Sequence, residues 1–138
     1  MSQMIRTYSE LSRLNTFDER FEYLKLDGKV AQPTFGFERY LNQLFYTSAP
    51  WREARDKVII RDNGCDLGLD GYEIFGRIYV HHMNPITAED IRLRRPWILD
   101  PEFLICVSWD THQAITFGDK NLLTKIAIER RPGDTKLW

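Results

Sequence analysis

The chain has 138 residues, of which 43% are hydrophobic, 13% aromatic and 28% charged, with a net charge of −1. That size and balance predict one globular domain with a buried core, and near-neutrality excludes a protein held on nucleic acid by bulk electrostatics. No apolar run reaches the roughly eighteen residues of a membrane span, and Met1-Ser2-Gln3-Met4-Ile5-Arg6 lacks the pattern of a signal peptide, so the cytoplasm is the expected compartment.

The first third reads helical. Thr16-Phe17-Asp18-Glu19 is a capping box, with a Thr cap and Glu one turn on. Phe21, Leu24 and Leu26 follow at helical spacing, and Asp27-Gly28 stops the run. A second helix fits Phe35 to Phe45, with Phe37, Tyr40, Leu41, Leu44 and Phe45 on one apolar stripe. Ser48-Ala49-Pro50 starts a third, because Pro is tolerated in a first turn. It turns Trp51, Ala54, Val58 and Ile59 inward, and Asn63-Gly64 ends it.

The middle changes character. Asp70-Gly71 and Phe75-Gly76 punctuate short apolar stretches. Ile78, Val80 and His82 alternate with Tyr79 and His81, the period of a strand, which is expected to be the second strand of a β-hairpin. Asn84-Pro85 breaks it. Thr87-Ala88-Glu89-Asp90 can cap a short helix through about Leu93, which Pro96 ends. Leu104 to Val107 is a short apolar run. Ser108 or Asp110 can cap a helix reaching Phe117 and closed by Gly118. Leu122, Leu123, Ile126 and Ile128 then suggest a tail packed on the body.

Cys65 and Cys106, the two cysteines, form no Cys-x-x-Cys pair. A cysteine-based zinc site is not expected; two reduced thiols in or near the core are. Basic residues gather locally as Arg52, Arg55, Lys57 and Arg61, as Arg92, Arg94 and Arg95, and as Arg130 and Arg131, each group interleaved with acids. A DNA ligand would need such local patches, a metal ion or a partner.

All three histidines lie in the strand Tyr79–His82 and the helix after Trp109. Adjacent strand residues point to opposite sides, so His81 and His82 need not share a role. One can face the helix carrying His112 and bind a metal, while the other faces substrate as a general base. Imidazole suits both tasks. In phosphodiester hydrolysis a metal stabilises charge on the phosphate and leaving oxygen while a base deprotonates water.

Three further stretches belong with them. One is Val58-Ile59-Ile60-Arg61-Asp62-Asn63-Gly64-Cys65-Asp66-Leu67-Gly68. Another is Ile74-Phe75-Gly76-Arg77-Ile78-Tyr79-Val80-His81-His82-Met83-Asn84-Pro85-Ile86. The third is Asp110-Thr111-His112-Gln113-Ala114-Ile115-Thr116-Phe117-Gly118-Asp119. Together with Leu99 to Ile105, Thr34 to Gln43 and Gly133-Asp134-Thr135, they resemble the HNH endonucleases encoded by phages of Gram-positive bacteria, over nearly the whole chain.

The resemblance implies an α+β protein, a helical N-terminal part followed by a ββα-metal (HNH) core. Residues 1–57 would form a helical buttress, 58–119 the core and 120–138 a C-terminal tail, all in one domain. It implies DNA as substrate and one divalent ion, Mg, Mn, Ni or Zn, as cofactor. By position, His81 and His112 would be metal ligands and His82 the general base. The family's usual third ligand falls one turn after His112, at Thr116, where a neutral hydroxyl is a poor substitute for imidazole. Asp110 could instead supply an oxygen ligand or serve as the helix cap. Water could also fill the place.

Arg61, Asp62 and Asn63 could steady the hairpin or touch phosphate; Arg77 could meet phosphate or be solvated. Asn84 could orient His82 or initiate the Asn-Pro turn. Trp97, Trp109 and Trp138 read as packing groups, and Trp109 could also stack on a base. Two functions follow. One is a metal-dependent DNA endonuclease, with a phage terminase or another packaging protein as partner. The other is a catalytically degenerate relative that binds DNA or a protein, such as a packaging component or a host defence nuclease that it inhibits.

Overall fold

The computed structural model describes residues 4–26 and 36–123. Within them the chain is α+β, with helices around a two-stranded antiparallel sheet. In chain order the elements are α1 (Tyr8–Leu11), α2 (Phe17–Leu24), α3 (Gly36–Tyr46), α4 (Ala49–Asp62), β1 (Tyr79–His82), α5 (Ala88–Arg92), β2 (Leu104–Val107) and α6 (Trp109–Phe117). Short 3₁₀ turns occupy Pro96–Leu99, Pro101–Phe103 and Lys120–Leu123. No described helix is long and apolar enough to cross a membrane.

The expected starts of α2, α4, α5 and α6 hold, because each has a hydroxyl to satisfy an orphan backbone N–H. Thr16 caps α2 through the Glu19 amide, Ser48 caps α4 through Trp51, and Thr87 and Asp90 form a reciprocal box on α5. Ser108, not Asp110, caps α6. Asn63 and Gly118 close α4 and α6 in the left-handed conformation. Helix α4 runs across the 57/58 boundary. The Asp27-Gly28 stop, Thr34-Phe35, Ile126, Ile128, Gly133-Asp134-Thr135 and Trp138 lie outside the described residues.

The sheet corrects the strand reading. Tyr79–His82 does not pair with the segment before it, where only an isolated bridge joins Cys65 and Glu73. Its partner is Leu104–Val107, with Tyr79 opposite Val107, Val80 opposite Cys106, His81 opposite Ile105 and His82 opposite Leu104. The histidine strand is thus the first of the pair, and residues 83–103 form the connection. A hairpin turn is a local signal in sequence; a pairing across such a connection is not.

Every residue of β2 is buried, because the sheet is covered on both faces. Ile105 and Val107 join a core with Leu24, Leu67, Met83 and Ile115. Leu104 and Cys106 join a second core with Phe45, Trp51, Val58 and Ile98. The period-two alternation therefore sends Tyr79 and His81 towards α6, and Val80 and His82 towards α4. Both cysteines are buried free thiols.

The stripe on α3 is also corrected. Only Phe45 is buried, while Phe37, Tyr40 and Leu44 are 65%, 56% and 50% exposed. Its apolar period is real, but Phe45 is the residue of that stripe buried in the body, and α3 packs against α4 and α5.

Candidate functional site

Sheet and helix bring His81 and His112 together. Their rings meet edge to face, with centroids 5.2 Å apart and planes at 88°. His81 Nε2 and His112 Nδ1 are the buried side-chain nitrogen or oxygen atoms that lack a hydrogen-bond partner among the described residues. Unpaired buried polar atoms are costly, so two of them on adjacent imidazoles call for a ligand. Burial, helped by His112 and His82, holds His81 well below the usual imidazole range; burial also lowers His112. Both rings are thereby kept neutral, the form that can donate a lone pair to a metal.

His82 is on the other face of β1. Its ring stacks on Trp51 at 5.1 Å and 19°, with Phe45 and Tyr46 near its edges. Its Nε2 is 2.9 Å from the Ile98 carbonyl oxygen. A carbonyl only accepts, so Nε2 carries the proton and Nδ1 the lone pair. His82 as a whole is 8% exposed, and its Nδ1 has no hydrogen-bond partner among the described residues. Burial pushes His82 down to about 4, against the favourable effect of the Ile98 carbonyl. His82 lies in an aromatic pocket with one nitrogen fixed, instead of on the open substrate face expected of it.

Thr116 is buried one turn beyond His112 on α6. Asp110 lies two residues before His112, about 200° round the helix, so the structure does not bring it to the pair. No group of three His, Cys, Asp or Glu side chains able to hold a metal occurs among the described residues. The two imidazoles could supply two ligands to a divalent ion, with the remaining positions left to water or substrate.

Arg61 is taken up by the fold, on the structural side of its two expected roles. Its guanidinium donates to the Pro101 and Leu104 carbonyls, each at 2.6 Å, and to Asp62, and lies 3.7 Å from the Tyr8 ring centroid. Asp62 in turn accepts from the Cys106 amide. These bonds tie α4 to β2 and leave Arg61 little freedom to meet phosphate. Arg77 is exposed, with its guanidinium over the Tyr79 ring. Trp109 is half exposed and stacks on His112 at 6.1 Å and 15°. Asn84 neither bonds His82 nor merely turns the chain: it accepts from the Arg6 amide at 2.8 Å and donates to the Arg6 carbonyl at 2.9 Å.

Sequence reasoning missed the support of α6. Asp66 is buried and accepts from the Gly68 amide, the Ser108 amide and hydroxyl, and the Thr111 hydroxyl. It locks the first turn of the helix that presents His112. Burial, with Asp70 nearby, raises Asp66 to about 7 against the pull of those donors. Nothing in the Gly64-to-Gly68 string marks this partnership, because Ser108 and Thr111 meet Asp66 only in the fold. Comparison with protein-family models, with curated proteins and with solved structures returns no match.

Proposed function

We propose that this chain is a metal-dependent DNA endonuclease of the HNH type, with β1, β2 and α6 as its ββα-metal unit. The observation that carries the reading is the His81–His112 pair, drawn from strand and helix, with a buried unpartnered nitrogen on each ring. His81 and His112 would hold one divalent ion, which when bound supplies positive charge to the phosphate and leaving oxygen. His82 donates Nε2–H to Ile98 and offers Nδ1 to water. Its depressed basicity keeps the ring neutral at pH 7, and an anionic phosphate nearby raises that basicity where a proton is to be taken. DNA is the substrate by resemblance, and a phage packaging protein such as a terminase is the partner by resemblance alone.

Incubation with plasmid DNA in Mg²⁺, Mn²⁺, Ni²⁺ or Zn²⁺ tests this. Cleavage by the wild-type protein, reduced at least about hundredfold in His82→Ala, is expected for loss of a general base. Cleavage that survives His82→Ala unchanged sinks the assignment.

Thr116 favours a second reading. With a hydroxyl one turn after His112 and no third acidic, thiol or imidazole ligand among the described residues, the fold could act by binding alone. Its targets would be DNA or a protein, such as a packaging component or a host defence nuclease. Absence of cleavage in every metal would favour this reading.

A further inference from the structure

Trp51 is buried and Trp97 half-buried, but Trp109 is 51% exposed. One exposed large side chain is ordinary by itself, so its setting carries the meaning. Trp109 opens α6, three residues before His112 and on the same face of the helix. Its indole lies nearly parallel to the His112 ring, at 15° and a centroid distance of 6.1 Å. From β1, Tyr79 meets both, 5.3 Å from Trp109 and 6.0 Å from His112. The exposed Arg77 sets its guanidinium 5.1 Å from the Tyr79 centroid. His112 itself touches His81 at 5.2 Å. A continuous run of rings therefore leads from the His81–His112 pair out to Trp109, and by way of Tyr79 to a cation.

The chemistry of the run says what it fits. A nucleobase presents a flat π-face and stacks on aromatic side chains whatever its identity. The backbone that carries it brings a phosphate, to which Arg77 presents planar, directed donors. Asp110, the acid next in sequence, is turned about 100° away round α6 and does not oppose that phosphate. Trp109 is held by two ring neighbours and has few rotatable bonds, so little freedom is lost when a base lands on it. A paired base is already stacked on its neighbours in the duplex and must be unstacked to reach such a shelf, so the favoured occupant is an unpaired one. An apolar peptide would call for an aliphatic groove, whereas this run is aromatic and cationic throughout.

We infer that Trp109, backed by Tyr79, stacks an unpaired base of the DNA strand beside the His81–His112 pair, with Arg77 on an adjoining phosphate. This rests on the DNA reading above, but not on cleavage.

The test is fluorescence anisotropy of two labelled single strands in EDTA over a range of salt, using the full chain. One is oligodeoxythymidine; the other is an abasic oligomer of the same length, which keeps the phosphates and lacks the bases. Wild type, Trp109→Phe, Trp109→Leu and Arg77→Gln are compared, with thermal melting of each. Wild type should bind the thymidine strand about tenfold more tightly than the abasic one, a ratio that needs no variant. Trp109→Leu keeps apolar bulk without a π-face. It should lose about fivefold to hundredfold on the thymidine strand, the range of one base stack, with the salt slope and abasic binding unchanged. Trp109→Phe should restore most of that loss. Arg77→Gln should flatten the slope by about 0.7 on both strands, as for one phosphate contact on a single strand. Annealing the thymidine strand to its complement should remove the dependence on Trp109. Equal affinity of wild type for the two strands, equal binding by wild type and Trp109→Leu, or an equal loss on the annealed duplex would overturn the inference. So would no binding of either strand by wild type, which would leave Trp109 to a protein partner. If no metal supports cleavage but Trp109-dependent binding holds, the nuclease reading fails and this one stands. If wild type cuts and Trp109→Leu cuts a single strand with unchanged kcat and KM, this one fails and the nuclease stands.

Discussion

Asp66 sets two physical effects against each other, and its titration decides between them. The side chain is 2% exposed, which disfavours the carboxylate, yet it accepts from two hydroxyls and two amides, which favours it. Burial wins here, and Asp66 is raised from 3.8 to about 7. Between those pH values the folded protein holds a proton that the unfolded chain has released. Stability therefore falls as pH rises from about 4 through about 7, and is fully present only below the unfolded value. The difference corresponds to a ceiling of about 4 kcal/mol. His82, lowered to about 4, acts in the opposite sense: the unfolded chain takes up its proton first, so stability falls as pH drops below about 6.5.

Subtraction isolates Asp66. Asp66→Asn mimics the protonated acid, and the Ser108 and Thr111 hydroxyls can turn to accept from the new NH₂ group. Urea unfolding of both proteins from pH 4 to 8 gives the difference curve. Asp66→Asn should be close to wild type, or about 1 kcal/mol less stable, at pH 4. Relative to wild type it should then gain stability by as much as about 4 kcal/mol by pH 8, with the change running almost linearly between the two values and levelling off near the raised one. A difference curve that stays flat, with Asp66→Asn less stable by about 2 to 3 kcal/mol throughout, would show that the four donors keep Asp66 ionised and that the reasoning is wrong.

Two other changes test the site from different sides. Thr116→His returns an imidazole to the turn after His112 and should raise divalent-metal affinity at least about tenfold, or about 1.4 kcal/mol, by isothermal titration calorimetry; no gain would mean the pair is already completed by another donor. Trp51→Ala removes the ring stacked on His82 and should cost about 3 to 5 kcal/mol in chemical denaturation, whereas Trp51→Phe should retain most of that stability. Equal losses for the two would deny the stack any part in holding the pocket.

Local signals in the sequence placed most helix ends correctly because capping is a short-range bargain between a side chain and the next turn. Thr16, Ser48 and Thr87 start helices, and Asn63 and Gly118 end them, for reasons contained within a few residues. The strand at Tyr79–His82 was equally visible, since alternation records which faces are buried. Its partner was not. Loop connectivity favoured the preceding segment, but β2 supplies a fully apolar strand that both cores can cover. The apolar stripe of α3 misled for the converse reason: periodicity reports a face, not whether anything packs on it.

For the site, the sequence by itself determined which side chains could do chemistry: three imidazoles, two adjacent on a strand and one on a helix, with Thr116 one turn on. Tertiary structure alone decided what each ring meets. It set His81 against His112 with unpartnered nitrogens, turned His82 onto Trp51 and the Ile98 carbonyl, withdrew Arg61 into backbone contacts, and brought Arg6 to Asn84. The physical reason is range. Capping and alternation act over one turn or one pleat, whereas desolvation, ring contact and the partners of a buried charge depend on residues that only the packed chain makes neighbours.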